Sequence, residues 1–274
     1  MLKDITFGQY FDNNSFVHKL DPRTKLILLI LIIVFIFVSQ NWISLSVLIA
    51  FVLFSMILSK IPLRMYLKNL KAILPIIIFT MLINLFYSGN GEIEPAWTLN
   101  LFWGLKITSI ALNRALYMIV RILLLIIASA ELTYTTTPNS LTDGIEKLLS
   151  PLRFIGLKKI VHTLAMMMTI ALRFIPTLIE ETFKIMNAQK ARGADLENGK
   201  LLQRIKALIP ILIPLLISSV RRAYELAEAM ECRCYNGGEG RVRMKQLKYC
   251  LKDYIAFLTV FAVCGLVIAI NIVF

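Results

Sequence analysis

Residues 26–38 read LILLILIIVFIFV, thirteen Leu, Ile, Val and Phe side chains with no polar interruption. A helix crossing hydrocarbon takes roughly 20 residues, so this run with its flanks approaches a full span. Further apolar runs cover roughly 42–58, 72–87, 107–130 and 254–274. At 58% hydrophobic over 274 residues, the chain is more apolar than a soluble domain of its length. In a bilayer each helix satisfies its own backbone hydrogen bonds, and no period-two alternation indicates a barrel. The expected fold is an all-α polytopic membrane protein with about five transmembrane helices.

Working outward from 26–38, Asp21 is placed to cap the first helix and Pro22 to open it. No small-residue cleavage site follows the run, which reads as a retained span rather than a signal peptide. After the second run come Lys60, Arg64, Lys68 and Lys71, which mark a cytoplasmic side. The loop after the third run holds Glu92 and Glu94 and one cation, Lys106, which marks the outside. This alternation puts the N-terminus inside and the C-terminus outside. The net charge of +13 belongs to cytoplasmic loops facing anionic lipid, and nucleic acid is not an expected partner.

Residues 138–250 break the pattern. They are rich in Lys and Arg yet contain apolar stretches at 160–179 and 207–220. If both stretches crossed, Lys184, Lys190, Arg192, Lys200, Arg204 and Lys206 would lie outside, against the positive-inside rule. Arg173, Pro176, Pro210 and Pro214 also interrupt them. The preferred reading is two long crossed amphipathic helices, about 159–191 and 200–232, with apolar first halves against the membrane or a membrane partner and charged second halves in the cytoplasm. A double crossing stays open. Ahead of them Leu141, Ile145, Leu148, Leu149 and Leu152 fall at helical spacing, a short amphipathic helix ending near Pro151. The expected division is a membrane domain at 1–137, coupling helices at 138–250 and a last transmembrane helix at 251–274.

Two stretches near the ends of the long helices match each other. AQKARGA at 188–194 and AMECRCY at 229–235 both read Ala-x-x-small-Arg-small, around Arg192 and Arg233. Small neighbours let a backbone approach closely while a guanidinium reaches into a groove, where its planar donors pair with carboxylates and carbonyls. An ordinary helix C-terminus, with Arg opposing the dipole and Gly as cap, explains either copy alone. Two copies in one context favour a functional role.

Other candidates are weaker. GADLENGK at 193–200 resembles a phosphate loop, but five residues separate its glycines, and Leu201 stands where Ser or Thr would hold magnesium. Cys232-Arg-Cys234 lacks nearby zinc ligands at a usable spacing; Cys250, His162 and His18 are the nearest candidates. Cys264 reads as a small core residue, and His18 and His162 as polar loop or interface residues. Glu180-Glu181 reads as a solvated face. No nucleophile–base arrangement, metal site or cofactor is expected. Arg114 and Arg121, seven apart on the fourth span, are candidates for intramembrane or partner contacts, with snorkelling as the alternative. Met166, Met167 and Met168 read equally as packing or as an adaptable partner surface.

HKLDPRTKL before the first span, TTTPNSLTDGIEKLLSPLRFIGL after the fourth, and the paired arginine boxes together resemble the transmembrane T component of energy-coupling factor transporters. The resemblance covers nearly the whole chain. It implies a non-catalytic subunit in the cell membrane that joins two ABC-type ATPases to a membrane-embedded S component, which binds a vitamin or metal ion. It also implies a cytoplasmic platform of coupling helices, each arginine box docking on one ATPase. Carried over by position, Ala191, Arg192 and Gly193 form the first box, and Cys232, Arg233 and Cys234 the second. The second departs from Ala-Arg-Gly at both flanks and keeps the arginine. Two readings stand beside this one: a membrane enzyme with a Cys-x-Cys metal or thiol centre, and a solitary transporter.

Overall fold

A computed structural model of the chain describes residues 10–87, 98–100, 106–149, 158–194, 201–236 and 247–273. In chain order the elements are α1 (Pro22–Val38), α2 (Trp42–Ser59), α3 (Leu63–Tyr87), β1 (Thr98–Asn100), β2 (Lys106–Thr108), α4 (Ser109–Thr135), α5 (Pro138–Leu148), α6 (Lys158–Ala191), α7 (Leu201–Glu231) and α8 (Leu251–Val273). They fall into two compact units, Met1–Gly144 with Leu247–Phe274, and Ile145–Gln246.

In the first unit, α1 starts as its sequence dictates. The Asp21 carboxylate accepts from the Arg23 N–H at 3.0 Å, and Pro22 occupies the first turn, where no donor is needed. Ile36, Leu45, Leu48, Val52, Leu124 and Val267 form a buried cluster that joins α1, α2, α4 and α8. A second cluster packs Leu28 of α1 against Ala256, Val260 and Cys264 of α8, so Cys264 is the core residue expected. A third, with Met56, Tyr66, Ala130 and Tyr134, ties α2 and α3 to α4. Large apolar side chains such as Phe54, Ile57, Phe79, Leu258 and Phe261 are exposed, as a lipid-facing surface requires.

The structure differs from the sequence reading in its details. Among the described residues, six helices of 18 residues or more are apolar enough to span a membrane: α2, α3, α4, α6, α7 and α8. α1, at 17 residues, is one residue shorter than α2 and nearly as apolar, and its rise of about 25 Å stands at the lower limit for a span. α6 and α7 are among the six, and Pro176, Pro210 and Pro214 lie inside these continuous helices, as the two long helices read from sequence require. Each proline removes one backbone bond, and the flanking turns carry the helix through. α3 begins at Leu63, so Arg64, Lys68 and Lys71 are helical. The strands β1 and β2 pair antiparallel, with Leu99 opposite Ile107. At three residues each, they are too short to leave a period-two signal. α5 ends at Leu148, and Pro151 and Leu152 lie outside the described residues.

In the second unit, α6 and α7 meet through a few polar contacts. Ser218 Oγ donates to Glu181 Oε1, and Arg222 Nη2 pairs with Glu181 Oε2 at 2.9 Å. Gln189 Nε2 donates to the Pro210 carbonyl at 3.4 Å. Advancing from 181 to 189 on one helix goes back from 218 to 210 on the other, so the pair is antiparallel over this stretch. The helices bounded at about 159–191 and 200–232 from sequence run 158–191 and 201–231. His162 Nδ1 lies 3.3 Å from Glu146 Oε1, linking α6 to α5 as an interface residue would.

Candidate functional site: two arginine tips

The two arginine boxes are the same piece of backbone built twice. At the end of α6, the Gly193 N–H donates to the Lys190 carbonyl at 3.0 Å, and the Ala194 N–H to the Gln189 carbonyl at 3.0 Å. At the end of α7, the Cys234 N–H donates to the Glu231 carbonyl at 2.8 Å, and the Tyr235 N–H to the Met230 carbonyl at 3.0 Å. Each pair of bonds is a Schellman cap, with its arginine as the last half-helical residue and the next residue left-handed. Gly193 has φ 87 and Cys234 φ 52. Capping and function therefore converge: the turn that closes each helix also presents the guanidinium at its tip.

Ala191, Arg192 and Gly193 are exposed, as are Cys232, Arg233 and Cys234. Among the described residues neither guanidinium has a protein partner. Antiparallel packing carries the tips away from each other. Arg192 is eleven residues beyond Glu181, and Arg233 eleven beyond Arg222. At 1.5 Å per residue the two arginines stand roughly 35 Å apart along the pair. Their surroundings differ in charge. Lys184 and Lys190 precede Arg192, whereas Glu225, Glu228 and Glu231 precede Arg233. That asymmetry is legible in the sequence, but the match between the two arginines draws attention away from it.

The remaining candidates fall elsewhere. Arg121 is used inside the first unit. Its Nη2 donates to the Ser39 carbonyl at 2.8 Å, and the guanidinium lies 5.0 Å from the centre of the Tyr117 ring. Ser39 is the C-cap of α1, where the helix dipole is negative, so Arg121 closes that helix from α4. Arg114 is exposed near the start of α4. On α6, Met167 and Met168 are exposed on a stripe with Ile160 and Leu164, and Met166 is half-buried. α7 carries its own stripe of Leu208, Ile209, Leu212, Ile213, Leu216 and Ile217.

One group of residues went unassigned in the sequence beyond its resemblance: HKLDPRTKL forms a polar knot within the first unit. His18 Nε2 donates to the Phe11 carbonyl at 2.8 Å, and its Nδ1 accepts from Ser15 Oγ at 2.6 Å. Burial depresses the proton affinity of this ring. Buried Lys25 donates to the Thr135 carbonyl at 2.8 Å, at the end of α4. Buried Asp253 accepts from the Asp21 N–H at 2.9 Å and the Cys250 N–H at 2.7 Å, joining the starts of α1 and α8. Arg23 lies 5.4 Å from the centre of the Tyr249 ring and donates to the Leu247 carbonyl at 3.2 Å.

Comparison with known proteins adds a name to this arrangement. The family model for the cobalt transport protein, CbiQ, matches residues 13–244. A protein of Ruminiclostridium cellulolyticum called energy-coupling factor transporter transmembrane protein EcfT is 51% identical over 250 residues, 91% of this chain and 90% of its own. Proteins of the same name from Clostridium kluyveri and Listeria innocua are 49% and 40% identical, covering 98% and 97% of this chain and 95% and 98% of their own.

Proposed function

The chain belongs to the CbiQ/EcfT family of transmembrane energy-coupling components, and from that premise we propose that its two arginine tips each dock one ABC-type ATPase. The observation that carries this reading is the pairing of the tips. Two exposed arginines sit on identical backbone caps, at opposite ends of an antiparallel helix pair, roughly 35 Å apart. A single helix cap has no need of a twin; two ATPases acting together need two matched anchors. The apolar stripes of α6 and α7 face the bilayer and a membrane-embedded S component, whose movement delivers a vitamin or metal ion. ATP hydrolysis occurs in the partners, and this chain transmits the motion.

In this reading α6 and α7 do not cross the membrane, although each is long enough. Lys184, Lys190 and Arg192 near the end of α6 belong on the cytoplasmic side, with the ATPases. The thiol-centre alternative loses its motivation, since Cys234 occupies the capping position that Gly193 holds in the other tip.

The deciding experiment is co-purification of the complex with its ATPases. Arg192→Glu with Arg233→Glu should abolish retention of both ATPases, and each single reversal should release one. Reversal should exceed alanine in effect, because it sets a like charge against an acidic groove. Retention of both ATPases by the double variant, with uptake intact, would refute the proposal.

A further inference from the structure

Glu181 of α6 holds α7 from two directions, through Ser218 Oγ and the Arg222 guanidinium at 2.9 Å. Its position relative to the tips is regular. Glu181 precedes Arg192 by eleven residues and Arg222 precedes Arg233 by eleven, just over three helical turns. Each tip arginine thus projects from close to the face of its helix that carries its half of the ion pair. Toward Arg192, the α6 arm is held to α7 a second time. Pro214 lacks an N–H, which frees the carbonyl of Pro210, and Gln189 donates to that carbonyl. Toward Arg233 the situation is the reverse: beyond Arg222 most of α7 is exposed, Tyr224 at 73%.

We propose that the Glu181–Ser218–Arg222 cluster is a positioning site that fixes the separation and angle of the two arginine tips, with the last three turns of α7 as the arm it steadies. This rests on the docking role proposed above. The Glu181 oxygen of the pair is buried while the Arg222 side chain is 39% exposed, so water reaches the contact from the guanidinium side and the contact is reversible. A reversible contact at the fulcrum suits a device that must yield when the ATPases close. Removing it leaves both arginines in place but lets one tip swing relative to the other. Transport then uncouples from hydrolysis without loss of docking.

The test measures the distance between the arms directly. Spin labels at Asn187→Cys and Glu228→Cys, in a background with the native cysteines replaced, report the tip separation in the full chain in nanodiscs. The parent should give one narrow distance distribution. Glu181→Gln, which keeps the shape and an acceptor for Ser218, should at least double its width. The exchanged pair Glu181→Arg with Arg222→Glu should narrow it again. In the full complex Glu181→Gln should retain both ATPases while uptake per ATP hydrolysed falls on the order of fivefold. An unchanged distribution in Glu181→Gln, or a width that the exchanged pair does not restore, overturns the positioning role. Failure of the parent chain to retain ATPases would instead strike the docking role, and the distance measurement would still decide this one.

Discussion

Gly193 and Cys234 hold the same position in two identical caps, both left-handed, at φ 87 and φ 52. Glycine adopts this conformation freely, whereas an L side chain costs about 1–2 kcal/mol there. The tip of α7 is therefore built with a strain that the tip of α6 lacks.

Cys234→Gly should relieve that strain by about 1 kcal/mol. Hydrogen exchange of the Tyr235 amide, which closes the cap on Met230, should slow by roughly fivefold. ATPase retention should persist, since Arg233 keeps its place. Gly193→Ala should do the opposite at the other tip and speed exchange of the Ala194 amide. Equal exchange in Cys234→Gly and the parent would mean that the left-handed cysteine is not strained.

The unlike charges near the tips should appear as unlike salt dependence. Lys184 and Lys190 extend a positive field around Arg192, while Glu225, Glu228 and Glu231 offset Arg233. Exposed charges steer association and are screened within about 10 Å at 0.1 M salt. Association at the Arg192 tip, measured in Arg233→Glu, should slow more steeply with salt than association at the Arg233 tip, measured in Arg192→Glu. Parallel slopes would remove the charge asymmetry as a cause of partner choice.

The helices and the boxes were legible because each is a local pattern. Apolar runs and repeated small-Arg-small triplets survive without tertiary information. Arg121 was visible as a costly intramembrane charge, but its acceptor, the Ser39 carbonyl, lies 82 residues away and leaves no mark on the sequence. Lys25 and Thr135, 110 residues apart, pose the same difficulty. The prolines bore on crossing and not on helix: Pro176, Pro210 and Pro214 counted against membrane spans, while the two long helices read from sequence run through them on the strength of the turns around them.

His18 should give the first unit a sensitivity to acid. Burial lowers its proton affinity first; the Phe11 carbonyl and Asp12 pull the other way, and Lys25 reinforces burial. In the fold Nε2 donates to Phe11 and Nδ1 accepts from Ser15, which requires the neutral ring. Below the ordinary histidine value of about 6.5 the unfolded chain takes up a proton that the fold resists. Stability from this residue is present above that pH and declines as pH falls through it. Thermal unfolding in detergent between pH 8 and 5 should show this loss, and His18→Gln should flatten it. An identical pH profile in His18→Gln would assign the acid sensitivity to other groups.

Asp253 should be the most costly residue of the polar knot to replace. It is 1% exposed, and its two oxygens accept from Asp21 N–H and Cys250 N–H, so it caps α8 and anchors the start of α1 together. Asp253→Ala leaves two backbone donors without these acceptors and removes a cap, a loss of about 2–4 kcal/mol. Asp253→Asn keeps the shape and one acceptor oxygen, and should lose about half as much. Because α8 is the only described helix after residue 236, the damage should first appear as fraying at its start. Hydrogen exchange across residues 251–256 checks this, with faster exchange there than in α2 as the expected outcome. Exchange that rises equally in both helices would instead mean that the knot stabilises the unit as a whole and not the seating of α8.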